Sequence, residues 1–461
     1  MPLDTPTRSE GDAVLRLIGN TPMVQATRLD TGRCQLFLKL EFQNPGGSIK
    51  DRIALSMVEA AERDGRLEPG GTIVEATAGN TGLGLALVAA RKGYKLLLVI
   101  PDKMSREKIF HLKAMGAEVV LTRSDVGKGH PDYYQDLAQK IAADTGGFYV
   151  NQFGNPANVA AHETTTGPEI WEQMDHKLDA VVCGVGSAGT LAGLTRYFRK
   201  VAPHVGMVLA DPAGSILVDV VKTGRHGEAG SWLVEGIGED FVPPIADLSG
   251  VREAYRVTDA ESFAAARELL AKEGIFGGSS TGTLLAAALE YCRSRTKPER
   301  VVSLVPDSGN KYLSRMYNDY WLADMGLRER AHHGDLRDLI GRPSEERATV
   351  TVGPEDTLLV AYGRFKINDV SQLPVLEGER IVGIIDEYDV MRAVTRGESH
   401  FRDLVRKHMA TELETLAPGD TIDQVIAILD RDHVAIIADK ERFHGIITRI
   451  DLLNSLRRKL T

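Results

Sequence analysis

The sequence predicts an α/β protein, with a first unit built on parallel sheet covered by helices and a smaller, duplicated unit after it. From about residue 13 to 325, short apolar runs alternate with segments of helical period, which is typical of such sheets. Glycine-rich turns follow several of the runs, and the chain after residue 345 contains an internal repeat.

Composition narrows the class of protein. Of 461 residues, 43% are apolar and 26% charged, as in ordinary globular proteins. The net charge of -9 argues against general nucleic-acid binding. Cys34, Cys183 and Cys292 are far apart, which predicts no disulfide framework and no zinc site. A polar N-terminus and the lack of a long apolar stretch predict a cytoplasmic protein without membrane association.

The apolar runs are short, and most lead into a turn and then a helical segment. Examples are Leu36–Leu40, Thr72–Ala76, Lys95–Ile100, Glu118–Leu121, Ala180–Cys183, Met207–Ala210 and Val301–Val305. Ligands of open α/β sheets bind beyond the carboxyl ends of the strands, so we expect the functional residues in the turns that follow.

The first such turn, residues 44–52, reads NPGGSIKDR. Its glycines permit close approach of a ligand, and Ser48 is a candidate N-cap. Lys50 then falls in the first helical turn, where burial lowers the pKa of an amine and makes it a nucleophile. A surface lysine beside a helix start is the alternative.

The second and third turns offer anion sites. Residues 75–84, EATAGNTGLG, place Thr77, Asn80 and Thr81 beside a helix start, which favours a carboxylate site over a merely well-capped turn. Residues 184–190, GVGSAGT, predict a loop that cradles a phosphate. The same loop fits a dinucleotide fingerprint, with Asp211 where a ribose-binding acid belongs, so a nicotinamide oxidoreductase stays an alternative.

Two more turns complete the set, GGSSTG at 277–282 and PDSGNKY at 306–312. Each could be an ordinary helix cap, although Ser308 follows a strand where a cofactor contact is expected. The dinucleotide interpretation explains one of the five turns. A cofactor with a single phosphate and an aldehyde for Lys50 explains all five.

Together these turns resemble the fold-type II pyridoxal phosphate (PLP) enzymes, in the branch that makes cysteine and cystathionine by β-replacement. The resemblance runs from Ile18 to Tyr312 and includes the segments 18–22, 103–105, 116–118, 151–153, 165–170 and 234–238. It implies a catalytic domain over residues 11–325 with two α/β open-sheet subdomains.

The resemblance also assigns roles to residues. Lys50 would be the catalytic residue, joined to PLP as a Schiff base, Asn80 would bind the cofactor's 3-hydroxyl, and Ser308 its pyridine nitrogen. The phosphate would be held by Gly186, Ser187, Ala188, Gly189 and Thr190. The substrates would meet Thr77, Ala78, Thr81, Gln152, Gly236 and Glu239. Ala78 and Glu239 depart from the family's common Ser and from the Tyr of animal and fungal enzymes.

The implied reaction condenses L-serine with L-homocysteine to L-cystathionine through an aminoacrylate intermediate. The alternative within the family is cysteine synthesis from O-acetylserine and sulfide. The neutral Ser308 would favour β-elimination, because it leaves the pyridine nitrogen unprotonated and so weakens the electron sink. No candidate haem ligand precedes the predicted fold, so the resemblance implies PLP without haem, in a homodimer or higher homo-oligomer.

After a predicted linker at 326–345, residues 382–390 match residues 444–452 at a spacing of 62. This repeat resembles a tandem pair of CBS domains, over 346–400 and 401–461. Thr448 and Asp451 fit the ribose-binding pattern of such modules, whereas the first copy keeps Asp389 but has Asp386 in place of the Thr. The resemblance implies an adenine nucleotide or S-adenosylmethionine as regulatory ligand, with a purely structural pair as the alternative.

Overall fold

The computed structural model describes residues 12–77, 79–102, 104, 106–127, 129–440 and 442–458. The chain divides into two compact units, the first up to Tyr317 and the second from Asn318. The predicted start of the catalytic domain at residue 11 and the candidate Ala78 lie outside the described residues. Over the described helices, none is long and apolar enough to cross a membrane.

The first unit alternates strands and helices, as the sequence predicts. Its strands are β1 (Met23–Gln25), β2 (Gln35–Lys39), β3 (Thr72–Glu75), β4 (Lys95–Pro101), β5 (Glu118–Thr122), β6 (Phe148–Tyr149), β7 (Ala180–Cys183), β8 (Gly206–Pro212), β9 (Val251–Val257) and β10 (Arg300–Leu304). Its α-helices are α1 (Lys50–Arg63), α2 (Asn80–Lys92), α3 (Arg106–Ala114), α4 (Tyr134–Thr145), α5 (Pro156–Ala161), α6 (Gly167–Gln173), α7 (Gly189–Val201), α8 (Leu217–Thr223), α9 (Asp259–Glu273) and α10 (Ser279–Ser294). A π-helical turn, His162–Thr166, joins α5 to α6.

These strands form two open sheets. One has the order β1-β2-β10-β7-β8-β9 and is parallel except for β1, and the other has the order β5-β4-β3-β6 and is parallel throughout. All residues of β7 and β8 are buried, because helices cover both faces of a parallel sheet. The turns that follow β3, β7 and β10 contribute Thr77, Gly186 and Pro306 to one cavity, so the predicted anion sites face one region.

Helices α1 and α2 pack closely where α1 begins. A Cβ atom on Gly84 would lie 3.0 Å from the carbonyl oxygen of Lys50 and 3.1 Å from the Ala54 Cβ. Glycine at this position therefore lets α2 approach the backbone of Lys50.

The second unit contains two α/β copies. Its helices are α11 (Asp319–Asp324), α12 (Leu358–Asn368), α13 (Glu387–Val394), α14 (Ile422–Leu429) and α15 (Arg449–Arg458). Its strands are β11 (Gln372–Glu377), β12 (Arg380–Asp386), β13 (Thr415–Leu416), β14 (Ala435–Ala438) and β15 (Phe443–Ile447). The repeated motif forms the same pair in each copy, β12 with α13 and β15 with α15.

The core of each copy is completed by apolar residues from a short segment that lies outside that copy in the sequence. Leu336, Leu339 and Ile340, around a 3₁₀ helix within the predicted linker, are buried in the core of the second copy with Leu416 and Val425. Val405, which lies near the start of the second predicted copy, is in turn buried in the core of the first copy. Residues 336–340 thus belong to the folded unit, and the domain borders drawn from the sequence remain a prediction.

Candidate active site

A cavity of about 270 Å³ in the first unit collects most of the residues that the sequence singles out. Its described lining includes Lys50, Thr77, Asn80, Thr81, Gln152, Gly186, Ser187, Ala188, Gly189, Thr190, Gly236 and Glu239. A larger cavity of about 620 Å³ lies in the second unit, around the segment 323–346. The smaller one is the candidate active site, because glycine-rich turns at the ends of parallel strands build its wall.

Lys50 is the first residue of α1, and its backbone N–H donates to Ser48 Oγ over 3.2 Å. The amine lines the cavity. Burial lowers the pKa of Lys50 to about 8, against the opposing charges of Glu239 and Asp307. A sizeable fraction of the amine is therefore neutral near physiological pH and able to attack an aldehyde.

A buried ionic network anchors the same helical turn. Arg52 donates to Glu41 and to Glu169, each over 2.7 Å, and Lys39 reaches Glu169 over 2.8 Å. Burial alone would raise the pKa of Glu169, but hydrogen bonds and charge from Arg52 and Lys39 lower it to about 2. The network fixes the backbone two residues from Lys50.

The turn at 184–190 is shaped to hold a small anion. It leads into α7, whose N-cap residue Ala188 has φ of +71° and supplies no side-chain cap. A Cβ atom on Gly186 would lie 2.5 Å from Gly236 O, and one on Gly189 would lie 1.8 Å from Asn158 Oδ1, so neither position accepts a side chain. Free N–H groups at a helix start fit the phosphate of PLP.

Side chains behind this turn hold its hydroxyl groups. Asn158 Nδ2 donates to Ser187 Oγ over 2.9 Å and to Gln152 O over 2.8 Å. His162 is fully buried, with Nε2 3.2 Å from Thr190 Oγ1 and Nδ1 2.9 Å from Thr166 Oγ1. Burial keeps the pKa of His162 well below its usual range, so a neutral imidazole orients the Thr190 hydroxyl.

Thr77, Thr81 and Gln152 lie together near the start of α2. Thr81 Oγ1 donates to Gln152 Oε1 over 2.7 Å, and Gly79 N donates to Thr77 Oγ1 over 3.2 Å. Glu75 supports this group from behind, since its carboxylate accepts the N–H groups of Ala76 and Gln152 over 2.7 and 3.1 Å. Burial raises the pKa of Glu75 to about 7. Neutral donors at a helix start suit a substrate carboxylate.

Asn80 belongs to a network that the sequence did not reveal. Its Nδ2 donates to Asp307 over 2.8 Å, and its Oδ1 accepts from Lys311 Nζ over 2.5 Å. Tyr312 also donates to Asp307, over 2.8 Å. Burial raises the pKa of Asp307, although Lys311 and the hydrogen bonds oppose the change. These contacts fix the orientation of the Asn80 amide at the cavity wall.

The structure does not bring Ser308 to the cavity. Its Oγ accepts from Asn310 N over 3.3 Å and caps a 3₁₀ helix, and Ser308 is absent from the described lining. Ser280, in the first turn of α10, lines the cavity instead. Both serines occupy turns that the sequence identifies, and a strand end alone could not tell which of the two faces the ligand.

Asp211 does not support the dinucleotide alternative. The residue is fully buried, its carboxylate accepts from Val218 N over 3.1 Å, and it does not belong to the described cavity lining. A ribose hydroxyl has no access to it. In this chain Asp211 organises the start of α8 instead.

In the second unit, the three regulatory candidates take part in helix starts. Asp389 N donates to Asp386 over 2.8 Å and the Asp389 carboxylate accepts in return, which forms a capping box at α13. Thr448 N and Oγ1 donate to Asp451 over 2.8 and 2.5 Å at the equivalent position before α15. A Cβ on Gly341 would lie 2.1 Å from Asp451 Oδ1, so the backbone of residue 341 packs against that carboxylate.

Comparison with known families agrees with this geometry. A family model described as pyridoxal-phosphate dependent enzyme matches residues 14–307, and a CBS domain model matches residues 345–396 and 402–458. The predicted fold class, a fold-type II catalytic unit followed by a tandem CBS pair, is thereby confirmed.

Curated relatives and solved structures match as well. The chain is 34% identical to a cystathionine beta-synthase of Oryctolagus cuniculus over 96% of its own length and 84% of the relative's. It is 33% identical to a cystathionine beta-synthase of Apis mellifera, over 97% and 91% of the two chains. A crystal structure of a hydrogen sulfide-producing enzyme from Fusobacterium nucleatum matches with a TM-score of 0.60 and 37% identity, over 66% of this chain and all of that one.

Proposed function

The chain belongs to the pyridoxal-phosphate dependent enzymes, and we propose that it condenses L-serine with L-homocysteine to form L-cystathionine by β-replacement. The observation that carries the proposal is the cavity itself, where the Lys50 amine meets a phosphate cradle at 186–190 and a carboxylate cradle of Thr77, Thr81 and Gln152. The curated relatives with a cystathionine beta-synthase name, matched over most of this chain, support the same reaction.

PLP fits the residues present. Lys50 would hold its aldehyde, the loop from Gly186 to Thr190 its phosphate, and Asn80 its 3-hydroxyl. We assign the pyridine nitrogen to Ser280 rather than Ser308, because Ser280 lines the cavity. When bound, PLP supplies an electron-withdrawing ring that stabilises negative charge at the substrate Cα.

The amino-acid donor is positioned by neutral groups. Thr77, Thr81 and Gln152 hydrogen-bond its carboxylate beside the N-terminus of α2, which directs Cα toward Lys50. Glu75 accepts the backbone N–H groups of Ala76 and Gln152, and Asn158 donates to the Gln152 carbonyl oxygen. These contacts keep the cradle in place.

Lys50 moves the protons. With its amine free, Lys50 Nζ would accept the proton from the substrate Cα and act as a general base. The resulting ammonium donates a proton to the departing β-hydroxyl. Lys50, neutral again, would take the thiol proton of homocysteine, and after the resulting thiolate sulfur joins Cβ it would deliver that proton to Cα. A pKa near 8 suits both directions of transfer at neutral pH.

Parallel assays test this function. Purified protein loaded with PLP is supplied with serine or O-acetylserine as donor and with homocysteine or sulfide as acceptor, and thioether and cysteine are quantified by mass spectrometry. We expect cystathionine from serine plus homocysteine to be the faster product. Cysteine from O-acetylserine plus sulfide at a much higher kcat/KM would instead identify a cysteine synthase.

Three further properties belong to this proposal. The enzyme works without haem, assembles at least as a homodimer in the cytoplasm, and binds an adenine nucleotide or S-adenosylmethionine at its CBS pair, near Asp389, Thr448 and Asp451. Absorption spectra of the purified protein, light scattering, and calorimetry with each nucleotide test these properties separately.

A further inference from the structure

The loop that carries Glu239 is held rigidly by its backbone. Gly236 and Gly238 have φ of +84° and +88°, which favours glycine at both positions. Glu239 N donates to Ser215 Oγ over 3.1 Å, and Glu239 O accepts from Ile216 N over 3.1 Å. The position of residue 239 in the cavity wall is therefore fixed before any ligand arrives.

The carboxylate of Glu239 is not paired with any of the residues that the structure describes. Within the described chain, no hydrogen bond or ion pair reaches it, and only the charges of Asp240, Lys50 and Asp211 act on it from a distance. Burial raises the pKa of Glu239 to about 8. A partly buried carboxylate in this situation is stabilised when a ligand brings a positive charge.

The other groups of the cavity cannot supply that charge. Among the described residues that line it, Lys50 and Glu239 are the only ones with ionisable side chains. Lys50 would be joined to the cofactor in the resting enzyme and would carry protons at Cα during turnover, so it offers Glu239 no lasting positive charge. The remaining polar groups, such as Thr77, Thr81 and Gln152, are neutral and suit a carboxylate.

The proposed reaction brings two amino acids into this cavity. The amino group of the donor is consumed in the linkage to the cofactor, and its carboxylate has its own cradle. Only the acceptor therefore keeps a free ammonium group at the moment of thiol addition. Sulfide, the acceptor of the rival reaction, has no such group.

We propose that Glu239 binds the ammonium group of an amino-acid thiol, and so selects homocysteine over acceptors that lack an amino group. The inference rests on the proposed β-replacement and names the residue that decides its second substrate. It makes Glu239 a specificity-determining residue, since a charge-assisted hydrogen bond discriminates between two otherwise similar thiols.

The test compares two thiols that differ in one group. L-Homocysteine and 4-mercaptobutyrate share the thiol, the carboxylate and the carbon chain, and 4-mercaptobutyrate lacks the ammonium. In the PLP-loaded wild type with serine as donor, we expect kcat/KM to favour homocysteine. In Glu239→Gln this preference should fall about 10- to 100-fold, mostly through KM for homocysteine, because a charged hydrogen bond is lost.

Asp240→Asn provides the matched control. Asp240 is the exposed neighbour of Glu239 and lies outside the described cavity lining. Its substitution removes a negative charge of the same size, so the preference should stay within about twofold of wild type. Glu239→Asp, which keeps the charge, should retain part of the preference. Thermal melts of all variants verify that the fold survives.

The contrary outcomes are distinct. Equal losses with both thiols in Glu239→Gln would refute the inference, as would loss of the pyruvate that serine yields without thiol, because Glu239 would then serve Lys50. Either result leaves the proposed function standing if wild type makes cystathionine. A wild type that accepts sulfide but neither thiol would overturn the proposed function and this inference together.

Discussion

Lys50 carries its amine into a cavity where burial and two nearby acids act on its pKa in opposite directions. Burial is the larger effect and lowers the pKa to about 8, whereas Glu239 and Asp307 favour the charged form. An ordinary lysine has a pKa near 10.4 and is almost fully protonated at neutral pH. The position of this one side chain therefore determines how readily the enzyme can be loaded.

The pH dependence of loading follows from that pKa. Protonated amine cannot attack an aldehyde, so the rate at which cofactor-free protein binds PLP should rise about tenfold per pH unit well below pH 8 and level off above it. The measurement is the growth of visible absorbance between pH 6 and 9.5. Lys50→Ala should show no such absorbance, and the exposed Lys222→Ala should behave as wild type. A rate still rising steeply above pH 9 would contradict the lowered pKa.

A pair of serine variants decides which residue contacts the pyridine nitrogen. Ser280 lines the cavity, whereas the Ser308 hydroxyl caps a 3₁₀ helix. We expect Ser280→Ala to lower kcat/KM about tenfold or more, because a hydrogen bond to the reacting ring is lost. Ser308→Ala should change it less than threefold. Kinetics and bound-cofactor spectra of both variants check this. A larger loss in Ser308→Ala than in Ser280→Ala would identify Ser308 as the contact of the pyridine nitrogen.

Residues of the cavity wall could be predicted from the sequence where all the residues that define their role lie in one short turn. Lys50, Thr77 and Gly186 are of this kind, because a helix start and its glycines are contiguous in sequence. Glu239 was found through its family position, but only the three-dimensional structure shows that no described residue pairs with its carboxylate. His162 and Thr190 meet across 28 residues, and Asn80 and Lys311 across 231, so no local pattern reveals them.

At the scale of elements, strands with continuous apolar runs were found almost residue by residue. Ala180–Cys183 is the clearest case, since burial on both faces leaves an unbroken apolar signal. β9 gives a weaker signal in the sequence, because four of its seven residues are polar and only partly buried or exposed, and β6 gives a weaker signal because it has only two residues. A turn can be located from sequence, but the direction of its side chains depends on packing.

Helices α1 and α2 approach each other so closely at Gly84 that a side chain at this position should destabilise the protein. An alanine Cβ there would press on the Lys50 carbonyl and Ala54, so Gly84→Ala should destabilise the first unit by about 1–3 kcal/mol and slow cofactor loading. Gly363, in α12, has open space around its Cα, and Gly363→Ala should stabilise by about 0.5–1 kcal/mol. Urea unfolding measures both. A neutral Gly84→Ala would show that the two helices yield easily.

At the scale of the whole molecule, residues that are neighbours in the sequence do not always share a hydrophobic core. Leu336, Leu339 and Ile340 precede the first CBS copy but complete the core of the second, where Ile340 packs against Gly445. A repeat of 62 residues read along the chain suggests two consecutive, self-contained copies. The exchange of short segments instead makes each copy depend on residues outside its own repeat.

Truncated chains test whether each copy is self-contained or depends on residues outside its own repeat. A chain of residues 318–461 should unfold cooperatively, whereas a chain of residues 346–461 loses three buried side chains worth about 1.5–3 kcal/mol each. That sum is comparable with the entire stability of a small domain, so we expect the shorter chain to lose its cooperative transition. Circular dichroism melts compare them, and a chain of residues 335–461 is the control that keeps the segment. Equal melting of all three chains would mean that the segment is dispensable.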